Sequence, residues 1–229
     1  MIQLKLKTLD FQSANTDMVI DLIKQLANQD TALAKQSLIE VLASSIDIGL
    51  EKQMKILSGC FTITGLNDTV TTQIADLFST ELLALSFLTE EQKKQFYKQV
   101  EKLIKETNTE IDKKGLLKNL ADESPEESKL LLRSILTSKK KTELDTLCLR
   151  LLKKSTTKAD YLETCHTLLS SKKENLFPSI IRTLSFANYA AAIPNLIKLL
   201  THKTFSKEAR KGLLIIGEEA IPLLSLIHI

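Results

Sequence analysis

Residues 192–200 read Ala-Ile-Pro-Asn-Leu-Ile-Lys-Leu-Leu, and 28 positions later residues 220–224 read Ala-Ile-Pro-Leu-Leu. Between them lies Glu208-Ala209-Arg210-Lys211-Gly212-Leu213-Leu214-Ile215-Ile216-Gly217. A proline in the first turn of a helix gives up only an N–H that has no intrahelical acceptor, so each Ile-Pro begins a helix. Gly217 ends the helix before it, because a residue without Cβ enters the left-handed region at no steric cost. A helix, a tight turn and a second helix, repeated at a fixed interval, make the pattern of a stacked helical array. Phe177 to Leu200 follows the same plan more loosely, with Asn188-Tyr189 where glycine is expected.

Upstream, the helical rhythm continues without the motif. Apolar spacing marks a first helix from Asp17 to Asn28, with Val19, Ile20, Ile23 and Leu26 on one side. Asp30 caps a second, whose apolar set is Leu33, Leu38, Val41, Leu42 and Ile46. Leu50–Leu57 forms a third, ended by Ser58-Gly59, and a fourth runs from Asp68 towards Leu88 with a break near Ser79. Thr89-x-x-Gln92 is a capping box, in which hydroxyl and amide satisfy each other's backbone N–H; it opens Glu90 to Glu106, burying Phe96, Val100, Leu103 and Ile104. Thr109-x-x-Asp112 starts a helix to Ala121. Ser124-Pro125-Glu126-Glu127 supplies an N-cap, a first-turn proline and acids where the helix dipole favours them, opening a helix with Leu130, Leu131, Ile135 and Leu136. Helices from Thr142 to Lys154 and Thr157 to Ser171 follow. Connections of a few residues force successive helices into antiparallel hairpins.

The fold expected is therefore all-α, an α-solenoid of antiparallel hairpins. Composition agrees: of 229 residues 43% are hydrophobic but only 5% aromatic, with no Trp, six Gly and four Pro, which disfavours a turn-rich β-sandwich or barrel. The buried face is expected to include Leu38, Leu42, Leu103, Leu131, Ile135, Leu147, Leu151, Leu168, Ile181, Leu184, Leu196, Leu199, Leu213 and Ile216.

The Leu-x-x-Ile-Gly helix end followed by Ala-Ile-Pro-x-Leu resembles HEAT-like repeats of the short bacterial type, over residues 176–223. The resemblance implies a HEAT/armadillo-like stack acting in protein binding. By this reading residues 1–173 are a divergent helical repeat array and 174–223 are repeats continuous with it. The terminal Leu224-Ser225-Leu226-Ile227-His228-Ile229 is the translation of CTG TCT CTT ATA CAC ATC, which looks like a sequencing-library adaptor. Residues 224–229 are thus read as a non-native tail, and the natural chain is expected to be C-terminally truncated here, with its repeat unfinished near Leu223.

The formal charge is +3, too small to advertise a polyanion partner. One segment stands apart: Lys129 to Lys158 carries nine basic residues against Glu143 and Asp145. Lys139–Lys141, Lys153-Lys154 and Lys172-Lys173 fall at or just past helix ends, where cations offset exposed carbonyls and keep loops solvated. The sharper alternative makes Lys139, Lys140, Lys141, Arg150, Lys153 and Lys154 a contact surface for a polyanion or an acidic partner; a dispersed arrangement is the expectation. Lys predominance and scarce aromatics speak against nucleic acid.

Cys60, Cys148 and Cys165 are odd in number and widely spaced, without metal-ligand spacing, so a reducing, cytoplasmic setting is expected. Cys165 and His166 point about 100° apart on a helix and do not form a nucleophile pair. Glu126-Glu127 and Glu218-Glu219 read as helix-start acids. Gly212 and Gly217 lack the strand and Lys-Ser/Thr of a phosphate loop. No stretch approaches the ~20 apolar residues of a membrane span. The function expected is a non-catalytic protein–protein interaction scaffold or regulatory module, with another protein as partner, no cofactor and no metal. Two alternatives stand behind it: the cytosolic helical-repeat part of a larger membrane transporter or signalling protein, and a nucleic-acid-binding helical repeat.

Overall fold

The computed structural model describes residues 2–10, 13–44, 49–80, 85–106 and 109–225. Ile46, placed in the second helix above, and the last four residues of the adaptor-like tail lie outside them. Every regular element among the described residues is a helix, and no strand occurs. Two compact units divide the chain, Met1–Ser124 and Pro125–Ile229.

The first unit contains α1 (Ile2–Lys7), α2 (Thr16–Gln29), α3 (Thr31–Ser44), α4 (Leu50–Phe61), α5 (Asn67–Thr80), a 3₁₀ turn (Leu85–Phe87), α6 (Glu90–Lys105) and α7 (Lys113–Glu123). Caps set several boundaries as the sequence foretells. Asp30 Oδ1 accepts from Leu33 N at 3.0 Å, and the Thr89–Gln92 box forms in both directions. Thr109 does otherwise: its hydroxyl donates to Leu103 O and closes α6, while Asp112 caps α7 by accepting from Lys114 N. Helix α4 runs through Ser58-Gly59 instead of stopping there, because the Ser58 hydroxyl finds an acceptor in Phe87 O and the bare Gly59 Cα receives Ile20 of α2.

Helices pack against their chain neighbours and their next-but-one neighbours: α2 on α3 and α4, α5 on α6 and α7. Two of these next-but-one crossings carry a glycine. A Cβ on Gly59 would lie 2.3 Å from Ile20 Cδ1, and one on Gly115 would lie 2.2 Å from the Ser79 carbonyl oxygen. Around the α5–α7 crossing, Asn119 Nδ2 donates to Phe78 O and Leu85 N donates to Glu123 Oε1. Phe78 and Phe96 meet in the core at 6.2 Å between ring centroids.

The second unit contains α8 (Pro125–Thr137), α9 (Asp145–Ser155), α10 (Lys158–Leu168), α11 (Phe177–Phe186), α12 (Ile193–Leu199), α13 (Ser206–Ile216) and α14 (Ile221–Ser225), with 3₁₀ turns at Glu174–Leu176, Ala190–Ala192 and Gly217–Ala220. Here too next-but-one pairs pack: α8 with α10, α11 with α13, α12 with α14. The 28-residue echo is structural as well as written. In both copies a helix is followed by a positive-φ residue (Asn188 at 49°, Gly217 at 73°), a 3₁₀ turn and an Ile-Pro helix; the Ile-Pro starts are 28 residues apart, whereas the positive-φ residues are 29 apart, Gly217 being the first residue of its 3₁₀ turn and Asn188 lying two before Ala190. Phe177 and its counterpart Phe205 are both buried and touch, 5.2 Å between centroids. Gly212 lets α13 approach α11, since a Cβ there would sit 2.6 Å from Ser185 Oγ.

Of the expected buried face, Leu38, Leu131, Ile135, Leu151, Leu168, Ile181, Leu184, Leu196, Leu213 and Ile216 are buried, whereas Leu42, Leu103, Leu147 and Leu199 are half-buried. Leu130 is exposed, because the buried stripe of α8 runs through Ser128, Leu131, Leu132, Ile135 and Leu136.

Candidate functional site

The six basic residues singled out above are all exposed. Lys139, Lys140 and Lys141 lie in the connection from α8 to α9. Arg150, Lys153 and Lys154 share one face of α9 by their i, i+3, i+4 spacing, opposite the buried Cys148, Leu149, Leu151 and Leu152. Among the described residues none of the six has an ion pair or a side-chain hydrogen bond. These cations are free to meet an anion. The structure thus groups three of them on a helix face and places the other three on the loop that precedes that helix.

Beneath this helix lies a polar cluster that the sequence reading missed. Lys173, expected to solvate a loop, is 1% exposed, and Asp145 is fully buried. Lys173 Nζ donates to Asp145 Oδ1 at 2.5 Å and to the Ile135 carbonyl at 2.9 Å. Asp145 also accepts from Thr142 N at 3.1 Å and from the Thr142 hydroxyl at 2.8 Å. One ammonium therefore joins the end of α8, the start of α9 and the turn after α10. Each charge is matched and hydrogen-bonded, the condition under which a buried pair is tolerated. The signal was half visible: Thr142-x-x-Asp145 has the spacing of a helix start, but nothing near it in sequence points to Lys173.

All three cysteines are buried. Loss of hydration, which disfavours thiolate, pushes Cys60 and Cys148 up to about 12 and Cys165 to about 11. The Asp145 carboxylate pushes Cys148 further in the same direction. Burial likewise raises Tyr161, which lies beside Cys165. His166 packs on the Tyr189 ring, 5.7 Å between centroids. Exposed Glu126 pairs with half-buried Lys129, and Glu219 accepts from Asn188 Nδ2 at 3.0 Å, linking the turns of the two repeats. No cluster of three His, Cys, Asp or Glu side chains that could hold a metal exists among the described residues. No helix among them is long and apolar enough to cross a membrane.

An apolar groove of about 660 Å³ opens between α13 and α14, lined by Leu200, Leu213, Leu214, Ile221 and Leu224, with Arg210 and Glu218 at its polar edge. A smaller, polar cleft of about 250 Å³ lies between α8 and α10, with Arg133, Asp160 and Glu163 among its lining residues. Compared with family models, with curated proteins and with solved structures, the chain matches none.

Proposed function

We propose that this chain is an α-solenoid of HEAT-like helix pairs that works in the cytoplasm as a non-catalytic protein-binding scaffold or regulatory module. The observation that carries this reading is the recurrence of one local order, helix, positive-φ residue, 3₁₀ turn and Ile-Pro helix, with the Ile-Pro helices starting 28 residues apart. Pairing of α11 with α13 and of α12 with α14 sets equivalent positions of successive units side by side. Such stacking turns a side chain on one helix into a row, and rows of this kind are how repeat proteins hold extended partners. The free cations on α9 and its leading loop support an acidic partner, since unpaired charge steers association. They are also the observation that favours the second reading, a nucleic-acid partner bound through phosphates.

The test is site-specific photo-crosslinking in native cells, with the reactive residue at Arg150, Lys153, Arg182 or Arg210. A scaffold gives discrete adducts with another polypeptide from at least one position, competed by unmodified chain. Absence of protein adducts from every position contradicts the reading, and recovery of nucleic acid instead replaces it with the second one.

A further inference from the structure

The 28-residue register separates two kinds of exposed apolar side chain in the second unit. Ile221 is 59% exposed, while its counterpart Ile193 is 2% exposed, so that position is buried in the earlier repeat. Leu214 behaves differently. It is 75% exposed, and its counterpart Phe186 is 68% exposed although α13 is already stacked on that helix. Stacking of one repeat on the next does not cover this position. One turn earlier each helix carries an exposed arginine, Arg182 and Arg210, again 28 residues apart. An arginine followed four residues later by a large apolar side chain is thus presented outward by two successive helices.

Resting on the scaffold reading above, we propose that Arg182, Phe186, Arg210 and Leu214 form a docking face for an extended acidic segment of a partner protein, one with large apolar residues three positions apart. Three features fix that chemistry. Among the described residues neither arginine has an ion pair; Arg182 has only the Phe186 ring, 5.8 Å from its guanidinium carbon to the centroid. Lys207 and Lys211 add exposed positive charge on α13, and its sole acid, Glu208, is half-buried. Guanidinium groups take carboxylates in bidentate fashion, so acids on the partner satisfy them. Packed helices lie 8–10 Å apart, the length of one turn of an extended polyproline II chain, three residues at ~3.1 Å each, which brings apolar anchors three positions apart to the same side. Acidic residues between the anchors then face the two arginines. A nucleic acid stacks on Phe186 but gains nothing from Leu214, which is why a protein segment is the occupant.

The probe is a fluorescein-labelled dodecapeptide of four Leu-Glu-Asp units, titrated with the full chain and read by anisotropy. Saturable binding is expected, weakened about tenfold or more by Phe186→Ser with Leu214→Ser, and by several-fold in Arg182→Gln with Arg210→Gln. A peptide of four Ser-Glu-Asp units is expected to bind no better than the apolar-deleted variant binds the Leu peptide. All four positions are exposed, so the variants retain the parent's helical spectrum, which circular dichroism verifies. No saturable binding, or equal affinity for the Leu and Ser peptides, overturns the assignment. Failure of this face alone leaves crosslinks from Arg150 or Lys153 intact, whereas failure of the scaffold reading removes adducts from every position.

Discussion

Gly59, Gly115 and Gly212 all sit inside helices, yet replacing each by alanine is expected to give three different results. In an unconstrained helix the change stabilises by about 0.5–1 kcal/mol, through lower backbone entropy in the unfolded chain. At Gly115 the added methyl would stand 2.2 Å from the Ser79 carbonyl and 2.7 Å from Asp112 Oδ2. Neither neighbour is a loose side-chain end, since one is backbone and the other belongs to the cap of α7. The helices must part by about 1 Å, at an overpacking cost of about 1–3 kcal/mol. Parting also weakens the Asn119–Phe78 and Glu123–Leu85 hydrogen bonds, worth about 0.5–1.5 kcal/mol each. Gly115→Ala is therefore expected to destabilise by about 2–4 kcal/mol after the propensity gain. Gly59→Ala meets the tip of half-buried Ile20, which can rotate away, and is expected to stay within about 1 kcal/mol of the parent. Gly212→Ala, against Ser185 Oγ and Ile181 Cγ2, falls between them. Urea unfolding followed by circular dichroism at 222 nm gives the order. If Gly115→Ala matches or exceeds the parent in stability, α5 and α7 do not cross as described.

Lys173→Met strands the Asp145 carboxylate in the core and is expected to cost about 3–5 kcal/mol; adding Asp145→Asn, which keeps an acceptor for Thr142, is expected to recover more than half. A double-mutant cycle by urea unfolding measures this, and additive losses would contradict a coupled pair. Ellman's reagent at pH 8 is expected to find no reactive thiol in the folded chain and three after denaturation. Because the thiols are raised from an ordinary 9.0 to about 11–12, the unfolded chain sheds these protons first, and stability is full below pH 9 and falls as pH rises towards 12. The slope is at most about 1.4 kcal/mol per pH unit for each thiol, and a chain equally stable at pH 8 and pH 10.5 contradicts the buried placement. Changing Lys139, Lys140, Lys141, Arg150, Lys153 and Lys154 together to Gln is expected to leave the urea midpoint nearly unchanged while abolishing weak, salt-sensitive retention on a polyanion column. Tight nucleic-acid binding at physiological salt, lost in that variant, would install the basic face as a nucleic-acid site.

Helical boundaries were readable at Asp30, Thr89 and Thr157, where the capping side chain and the amide it caps are three residues apart and no second capping residue competes. Two polar residues competing for one boundary defeated that reading at Thr109 and Asp112, because the choice depends on where α6 ends. The Leu130-Leu131-Leu132 run carries no phase, so only packing against α9 and α10 selects which leucine faces outward. Lys173 was illegible for a further reason: its partner lies 28 residues away, and in sequence a lysine beside Lys172 looks like solvent-facing charge. Asn188 shows the opposite case. The Asn188-Tyr189 pair stands where the repeat expects glycine, Tyr189 being in register with Gly217; Asn188 is the one that takes the positive φ, 49°, asparagine being among the residues that tolerate that region. The exposed pairing of Arg182 with Phe186 and of Arg210 with Leu214 was written in the sequence at the repeat interval, but only burial distinguishes an outward row from a core one.

The central claim is that successive units stack first helix on first helix, with α13 crossing α11 at Gly212 and Ser185. Engineered cysteines test it directly. In a background with Cys60, Cys148 and Cys165 replaced by Ala, Ser185→Cys and Gly212→Cys are combined. A Cβ at 212 would lie 2.6 Å from the Ser185 side-chain oxygen, a separation compatible with the ~3.8 Å between the Cβ atoms of a disulfide. Mild oxidation is expected to give a quantitative intramolecular disulfide with the helical spectrum preserved, whereas Leu214→Cys combined with Ser185→Cys stays reduced. Two free, reagent-accessible thiols in the 185/212 variant, under conditions where its helices are intact, would contradict the stack.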